Sequence, residues 1–278
     1  MNWTDGFTHI DGRKVYFQNW TPDKPPIAWI LLVHGLGEHS SRYQHVGDFF
    51  TRQGLALTGF DLLGHGKTEG QRGHAESYDE YCHQVDHLLS KIQETQPGVP
   101  LFLYGHSMGG LISLYHIRTN KPENIKGVIC TSPGLATGFP VPAWKMTLGN
   151  LLYKLAPRFS MNNGLPVEGL THDKSVISAY KADPLNHPHI SARMGMDLIR
   201  NGQEISKTAS DFPLPLLLMV GEDDYVISSK AIIDYGKKAG ANTTLKVWPG
   251  GFHELHNEIN KEDVLTTIVE WVKTNVAK

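Results

Sequence analysis

The sequence predicts an α/β fold in which a mostly parallel central sheet carries helices on both faces, and three observations lead there. Short, nearly continuous apolar runs recur at residues 27–33, 55–61, 100–105, 125–130, 213–221 and 243–248. Runs without polar alternation mark strands covered on both sides, as parallel strands are. Several of the stretches between them are amphipathic at helical spacing, which supplies the covering layers. Finally, 278 residues with 40% apolar and 19% charged side chains suffice for one large core, and α/β domains of this length are commonly single.

The chain opens on an alternating pattern instead. Asp11 and Gly12 form a hairpin turn pair, and Val15, Tyr16, Phe17 and Trp20 come after it, which predicts two short antiparallel strands. The run at 27–33 then begins the buried strands. Ser77 with Glu80 three residues later has the pattern of a capping box, and Tyr78, Tyr81, Cys82, Val85, Leu88, Leu89 and Ile92 lie on one helical stripe behind it. Near the far end, Asn260 is placed to cap a helix whose inner face is Val264, Leu265, Ile268, Val269 and Val272. Between Ser132 and Leu214 the alternation of strands and helices stops for about eighty residues, too long for one simple crossover. An insertion is expected there. Its first half is apolar, with Phe139, Val141, Trp144, Met146, Leu148, Leu151, Leu152 and Leu155 set among Pro140, Pro142 and Pro157. Residues 136–205 therefore read as an inserted helical cap, and residues 1–135 with 206–278 as the core.

Composition narrows the function. Twenty-six Lys and Arg against 28 Asp and Glu give a formal charge of −2, so there is no basic field of the kind that draws proteins to nucleic acid. The apolar content excludes a disordered tether. Cys82 and Cys130 stand in no C-x-x-C pattern, which fits a reducing compartment. The N-terminal segment lacks a basic region followed by an apolar stretch, and the apolar runs at 27–33 and 214–220 have seven residues each, far below the ~20 of a membrane span. A cytoplasmic protein is expected.

The chemistry centres on Gly105, His106, Ser107, Met108, Gly109 and Gly110, which come after a strand and precede a helix-compatible run. That context makes a G-x-S-x-G match a nucleophile elbow, whose sharp turn needs glycines two positions either side of the serine. A serine hydroxyl is a poor nucleophile by itself and requires a histidine base and an acid to orient it. In this architecture the acid and the base come after the serine, on loops at the ends of later strands. Asp223 or Asp224 lies beyond the strand ending at Gly221, and His253 or His256 beyond the strand ending at Trp248; spacing leaves both choices open. The first parallel strand ends in His34, Gly35, Leu36 and Gly37. A turn of this kind supplies one oxyanion donor and the residue after the nucleophile the other, which assigns the backbone amides of Leu36 and Met108. His253, Glu254, Leu255 and His256 fall one residue short of the H-E-x-x-H zinc pattern, and no complete phosphate-loop motif occurs. Neither metal nor cofactor is expected.

The segments HGLGEHSSRY at 34–43, DLLGHGKTEGQRGH at 61–74, GHSMGG at 105–110, GEDD at 221–224 and GGFHELHNE at 250–258 together resemble the monoacylglycerol lipase and lysophospholipase branch of the α/β-hydrolases. The resemblance implies the α/β-hydrolase fold, Asp224 as the acid and His253 as the base. It also implies an alcohol-side pocket near Glu38, Arg42 and His256. The expected activity is hydrolysis of a monoacylglycerol to fatty acid and glycerol by Ser107, His253 and Asp224 without a cofactor; lysophospholipase or general carboxylesterase action is the alternative. A non-catalytic small-molecule receptor on the same fold is the reading of another class, disfavoured by the complete triad. In the cap, Phe139 and Met146 fall off the stripe formed by Trp144, Leu148, Leu151, Leu152 and Leu155. They are expected to face the acyl chain, with transient membrane-surface contact through the same apolar region.

Overall fold

The computed structural model describes residues 1–122, 124–210 and 212–276. The chain runs β1 (Asn2–Ile10), β2 (Arg13–Thr21), β3 (Ala28–Val33), α1 (Gln44–Arg52), β4 (Leu55–Phe60), α2 (Tyr78–Thr95), β5 (Leu101–His106), α3 (Met108–Asn120) and β6 (Ile125–Thr131). It continues through α4 (Ala143–Leu155), β7 (Ser160–Asn162), α5 (Lys174–Ala182), β8 (His189–Ser191) and α6 (Ala192–Lys207), then β9 (Leu216–Gly221), α7 (Ser229–Lys238), β10 (Thr243–Trp248) and α8 (Lys261–Val276). Eight strands form one sheet in the order β1-β2-β4-β3-β5-β6-β9-β10. The opening hairpin is antiparallel and joins β4 antiparallel through β2; every pair from β4 to β10 is parallel. This is the α/β-hydrolase architecture that the sequence predicts. Asp11 and Gly12 both take positive φ, 49° and 75°, the turn whose twist matches the flanking strands.

The strands divide their side chains between two cores, which explains why their sequences read as unbroken apolar runs. Leu31, Val33, Leu101, Leu103, Leu216 and Leu218 face one way, onto α2, α3 and α7. Ile30, Leu32, Phe102, Tyr104, Leu217 and Met219 face the other, onto α1 and α8. Each such side chain, fully buried, contributes about 1.5–3 kcal/mol. The inner face expected for the last helix is the observed one, with Val264, Leu265, Ile268, Val269 and Val272 buried. The capping box is not. Ser77 takes the N-cap backbone conformation but makes no side-chain cap bond, and the Glu80 side chain reaches one residue further back, accepting the Glu76 N–H at 2.6 Å.

Between β6 and β9 lie α4, α5, α6 and the short β7–β8 pair, whose polar strands gave no signal in the sequence. α6 sits over α3 and buries Met194, Met196 and Ile205. α4 buries none of its residues; Trp144 is 64% and Leu155 75% exposed. The stripe on α4 is therefore not consumed by packing onto the sheet domain.

Close packing at Gly47 of α1 gives a test of the fold. A Cβ there would lie 2.4 Å from the Cγ of the fully buried Trp20. Overpacking of this kind costs about 1–3 kcal/mol, against roughly 1 kcal/mol gained from the better helix propensity of alanine. Gly47→Ala should lower the melting temperature by several degrees in a thermal melt; an unchanged or higher value would show that Trp20 has room to move.

Candidate active site

The turn from β5 into α3 holds Ser107 at φ 53° and ψ −118°. A non-glycine residue there stores on the order of 1–3 kcal/mol of strain and persists only where its surroundings hold it. They do so by backbone bonds: Ser107 N–H donates to Thr131 O at 3.0 Å, and its carbonyl accepts from Gly134 at 2.9 Å and Leu111 at 3.1 Å. The flanking glycines are needed because backbone approaches backbone. A Cβ on Gly105 would stand 2.4 Å from Gly109 O, and one on Gly109 only 2.0 Å from Val33 O. The elbow thus packs directly on the end of β3.

Two later loops converge on this serine. After β9, Asp224 accepts the Val226 and Ile227 N–H groups on Oδ1, both at 2.9 Å, and its Oδ2 lies 2.8 Å from His253 Nδ1. After β10, His253 brings Nε2 to 3.0 Å from Ser107 Oγ. The carboxylate accepts a hydrogen bond from Nδ1–H, which leaves Nε2 free to accept the serine hydroxyl proton. Asp223 is exposed, its backbone turned to Gly251. His256 is buried, stacked on Tyr43 at 4.5 Å and edge-on to His106 at 4.8 Å. Of the two candidates at each position, the structure brings Asp224 and His253 to Ser107.

Burial alone would push the His253 imidazole down, but the Asp224 carboxylate outweighs it, with Glu254 and Glu38 adding to the upward pull, so its pKa lies above 6.5. Burial likewise opposes ionisation of Asp224, yet His253 and the two backbone N–H groups hold its carboxyl below the usual range. His106 has no carboxylate partner and is pushed down by burial and by His253 to about 4. His256 is driven well below its ordinary value by burial and by His106.

The loop after β3 is fastened on both sides of Leu36. His34 accepts Leu62 N–H on Nε2 at 2.9 Å, so its Nδ1 carries the proton and donates to Gly35 O at 2.7 Å. Gly35 N–H donates to Glu38 Oε1 at 2.6 Å. Gly37, at φ 74°, accepts from His187 N–H at 3.0 Å. Met108 is the first residue of α3, where a backbone N–H has no carbonyl four residues back inside the helix. Leu36, Ser107 and Met108 together border a cavity of about 550 Å³. Its walls come from the segment between β6 and β9, with Phe139 and Met146 among them, together with Phe159, Met161, Met196 and Leu198, which the sequence did not single out.

Glu38, Arg42 and His256 do not border this cavity. Arg42 donates to Glu38 Oε2 at 2.5 Å and forms a two-pronged pair with Glu254, both contacts at 2.7 Å. Arg42 borders instead a separate cavity of about 320 Å³, with His39, His45, Tyr180 and Asn257 among its walls. Glu254 escaped the sequence reading because its only signal was its place beside His253.

A family model described as serine aminopeptidase, S33, matches residues 24–260. An abhydrolase domain-containing protein of Dictyostelium discoideum is 35% identical over 268 residues; the match covers 96% of this chain, which spans only 28% of that protein's length. A monoacylglycerol lipase of Mycolicibacterium smegmatis is 30% identical over 274 residues, 97% of this chain and 96% of its own. The crystal structure of a Paleococcus ferrophilus monoacylglycerol lipase superposes with a TM-score of 0.86 at 31% identity, covering 94% of this chain and 99% of the other.

The geometry sets two expected outcomes. Ser107→Ala should lose about 10⁵- to 10⁶-fold in turnover and Asp224→Asn about 10⁴-fold, while Asp223→Asn stays near wild type in the same assay. Because the base accepts a proton only when neutral, kcat/KM should fall as pH drops through a midpoint above 6.5. A flat profile between about pH 5 and 8 would exclude His253 as the base.

Proposed function

The chain belongs to the serine aminopeptidase, S33, family of hydrolases, and from that premise we propose that it is a serine esterase cleaving a monoacylglycerol into a free fatty acid and glycerol. The observation that carries this reading is the Ser107–His253–Asp224 relay opening onto an apolar cavity of about 550 Å³. Ser107 Oγ attacks the ester carbonyl as His253 Nε2 takes its proton. The oxyanion is held by the Leu36 and Met108 amides, each worth about 3 kcal/mol in the transition state. Collapse expels the glycerol oxygen, which takes the proton from His253; a water activated by the same imidazole then frees the fatty acid and restores the serine.

The composition of the wall favours an acyl chain over a peptide. Among the described residues no Asp or Glu borders the cavity, so nothing there would pair the ammonium group of a peptide N-terminus, and burying it unpaired is costly. The relatives named as monoacylglycerol lipases support the same choice. Residues 136–205 serve in this reading as a cap. Its Leu151 and Leu155 are exposed outside the cavity, and Trp144, Leu148 and Phe159 are exposed where they border it; these apolar side chains suit transient contact with a lipid surface, from which the substrate comes. No helix among the described residues is long and apolar enough to cross a membrane, and contact at a membrane surface would fall to these apolar side chains.

Each methylene buried in the cavity is worth up to about 0.8 kcal/mol, or roughly fourfold in kcat/KM, so rates on a monoacylglycerol series should climb with chain length until the cavity is full. Phe139→Asp or Met146→Asp should depress hydrolysis of the long esters at least tenfold, a loss of about 1.4 kcal/mol, and leave p-nitrophenyl acetate nearly untouched. Equal losses on both esters would assign these residues to the fold, and faster turnover of lysophospholipids than of monoacylglycerols would change the substrate.

A further inference from the structure

The geometry points to Glu38, Arg42 and Glu254 as a positioning strut that fixes the oxyanion loop to the loop of the histidine base. The inference rests on the esterase reading and assigns Arg42 to the architecture of the transition state, with no contact to the alcohol. Glu38 Oε1 accepts the Gly35 N–H, one residue before the Leu36 donor, and also the Tyr43 hydroxyl at 2.9 Å. Its Oε2 takes Arg42. The same guanidinium grips both oxygens of Glu254, the residue after His253, and Asn257 Nδ2 donates to Glu254 Oε2 at 2.7 Å. Every carboxylate oxygen is thus engaged, and the outer face of the guanidinium lies over the Tyr180 ring at 4.7 Å. The side chains of Glu38 and Glu254 are each 3% exposed and that of Arg42 9%.

A buried network of this kind is costly to break, since removing one partner leaves a charge uncompensated. Only the planar fork of arginine spans two carboxylates in this way; lysine is a point charge. The strut also has an electrical consequence. Two carboxylates against one guanidinium leave a surplus negative charge behind the base. The groups around His253 are Asp224, Ser107 and His106 in direct contact, with Glu38, Arg42, Glu254 and the buried His256 around them. The surplus charge favours the imidazolium that forms as Ser107 gives up its proton.

The test compares two esters of one acyl chain, dodecanoylglycerol and p-nitrophenyl dodecanoate, on the full-length protein. Arg42→Lys should lower kcat about ten- to a hundredfold on both, as misplaced catalytic loops do, with KM little changed. Glu254→Gln keeps the shape and removes one negative charge, so the acidic limb of its kcat/KM profile should move to lower pH; melting curves establish that both variants are folded. A loss confined to the glycerol ester and expressed in KM would overturn the inference, since it would place Arg42 on the alcohol. Wild-type kcat in Arg42→Lys, or an unmoved acidic limb in Glu254→Gln, would overturn it as well. If wild-type protein shows no Ser107-dependent turnover of either ester, the esterase reading falls and the inference with it.

Discussion

The structure depends on holding one serine in a backbone conformation that serine does not favour. Ser107 at φ 53° points its hydroxyl out of the sheet only because β5 ends against the carbonyl edge of β3 and α3 starts within the same three residues. That proximity dictates glycine at 105 and 109, brings the Leu36 loop alongside, and leaves the Met108 N–H at an open helix end. The sheet pays for the strain: the six strands from β4 to β10 across the sheet are parallel, and all but the edge strand β10 are almost wholly buried, so the loops at their carboxyl ends meet at one place.

Electrostatics then separates histidines that look alike in the sequence. His106 lies in ring contact with both His253 and His256, and all three are buried. Burial disfavours the charged form of each. Only His253 has a carboxylate on its ring, and only His253 is shifted upward; His106 and His256 are held neutral. A single imidazole beside Ser107 can therefore take a proton near neutral pH, and its neighbours add little positive charge to oppose it.

Much of this was legible in the sequence, for physical reasons that differ by element. Strands buried on both faces announce themselves as unbroken apolar runs, and an elbow announces itself through glycines that steric contact requires. Spacing could not separate Asp223 from Asp224, because the choice depends on how the loop after β9 turns its backbone N–H groups of Val226 and Ile227 toward one oxygen. Nor could it find the partner of Arg42. Glu254 lies 212 positions away, and beside His253 and His256 it read only as a metal motif one residue short. The helical spacing on α4 was visible, but whether its apolar side chains pack inward or face solvent depends on the neighbouring layer, which periodicity does not encode.

The segment between β6 and β9 is bonded to the site unevenly, and this sets where it can move. Gly169 and Leu170 accept the N–H groups of His253 and Glu254, at 3.3 and 2.7 Å, and His187 N–H holds Gly37 O at 3.0 Å. Tyr180 adds its hydroxyl to the same carbonyl at 3.3 Å, and His39 binds Asp183 at 2.9 Å. Displacing residues 169–187 would loosen both the His253 loop and the Leu36 loop, so these residues belong mechanically to the site. α4 buries no residue of its own. Low burial makes a segment the cheapest to displace, so among the walls of the cavity α4 moves at least cost while residues 169–187 stay in place.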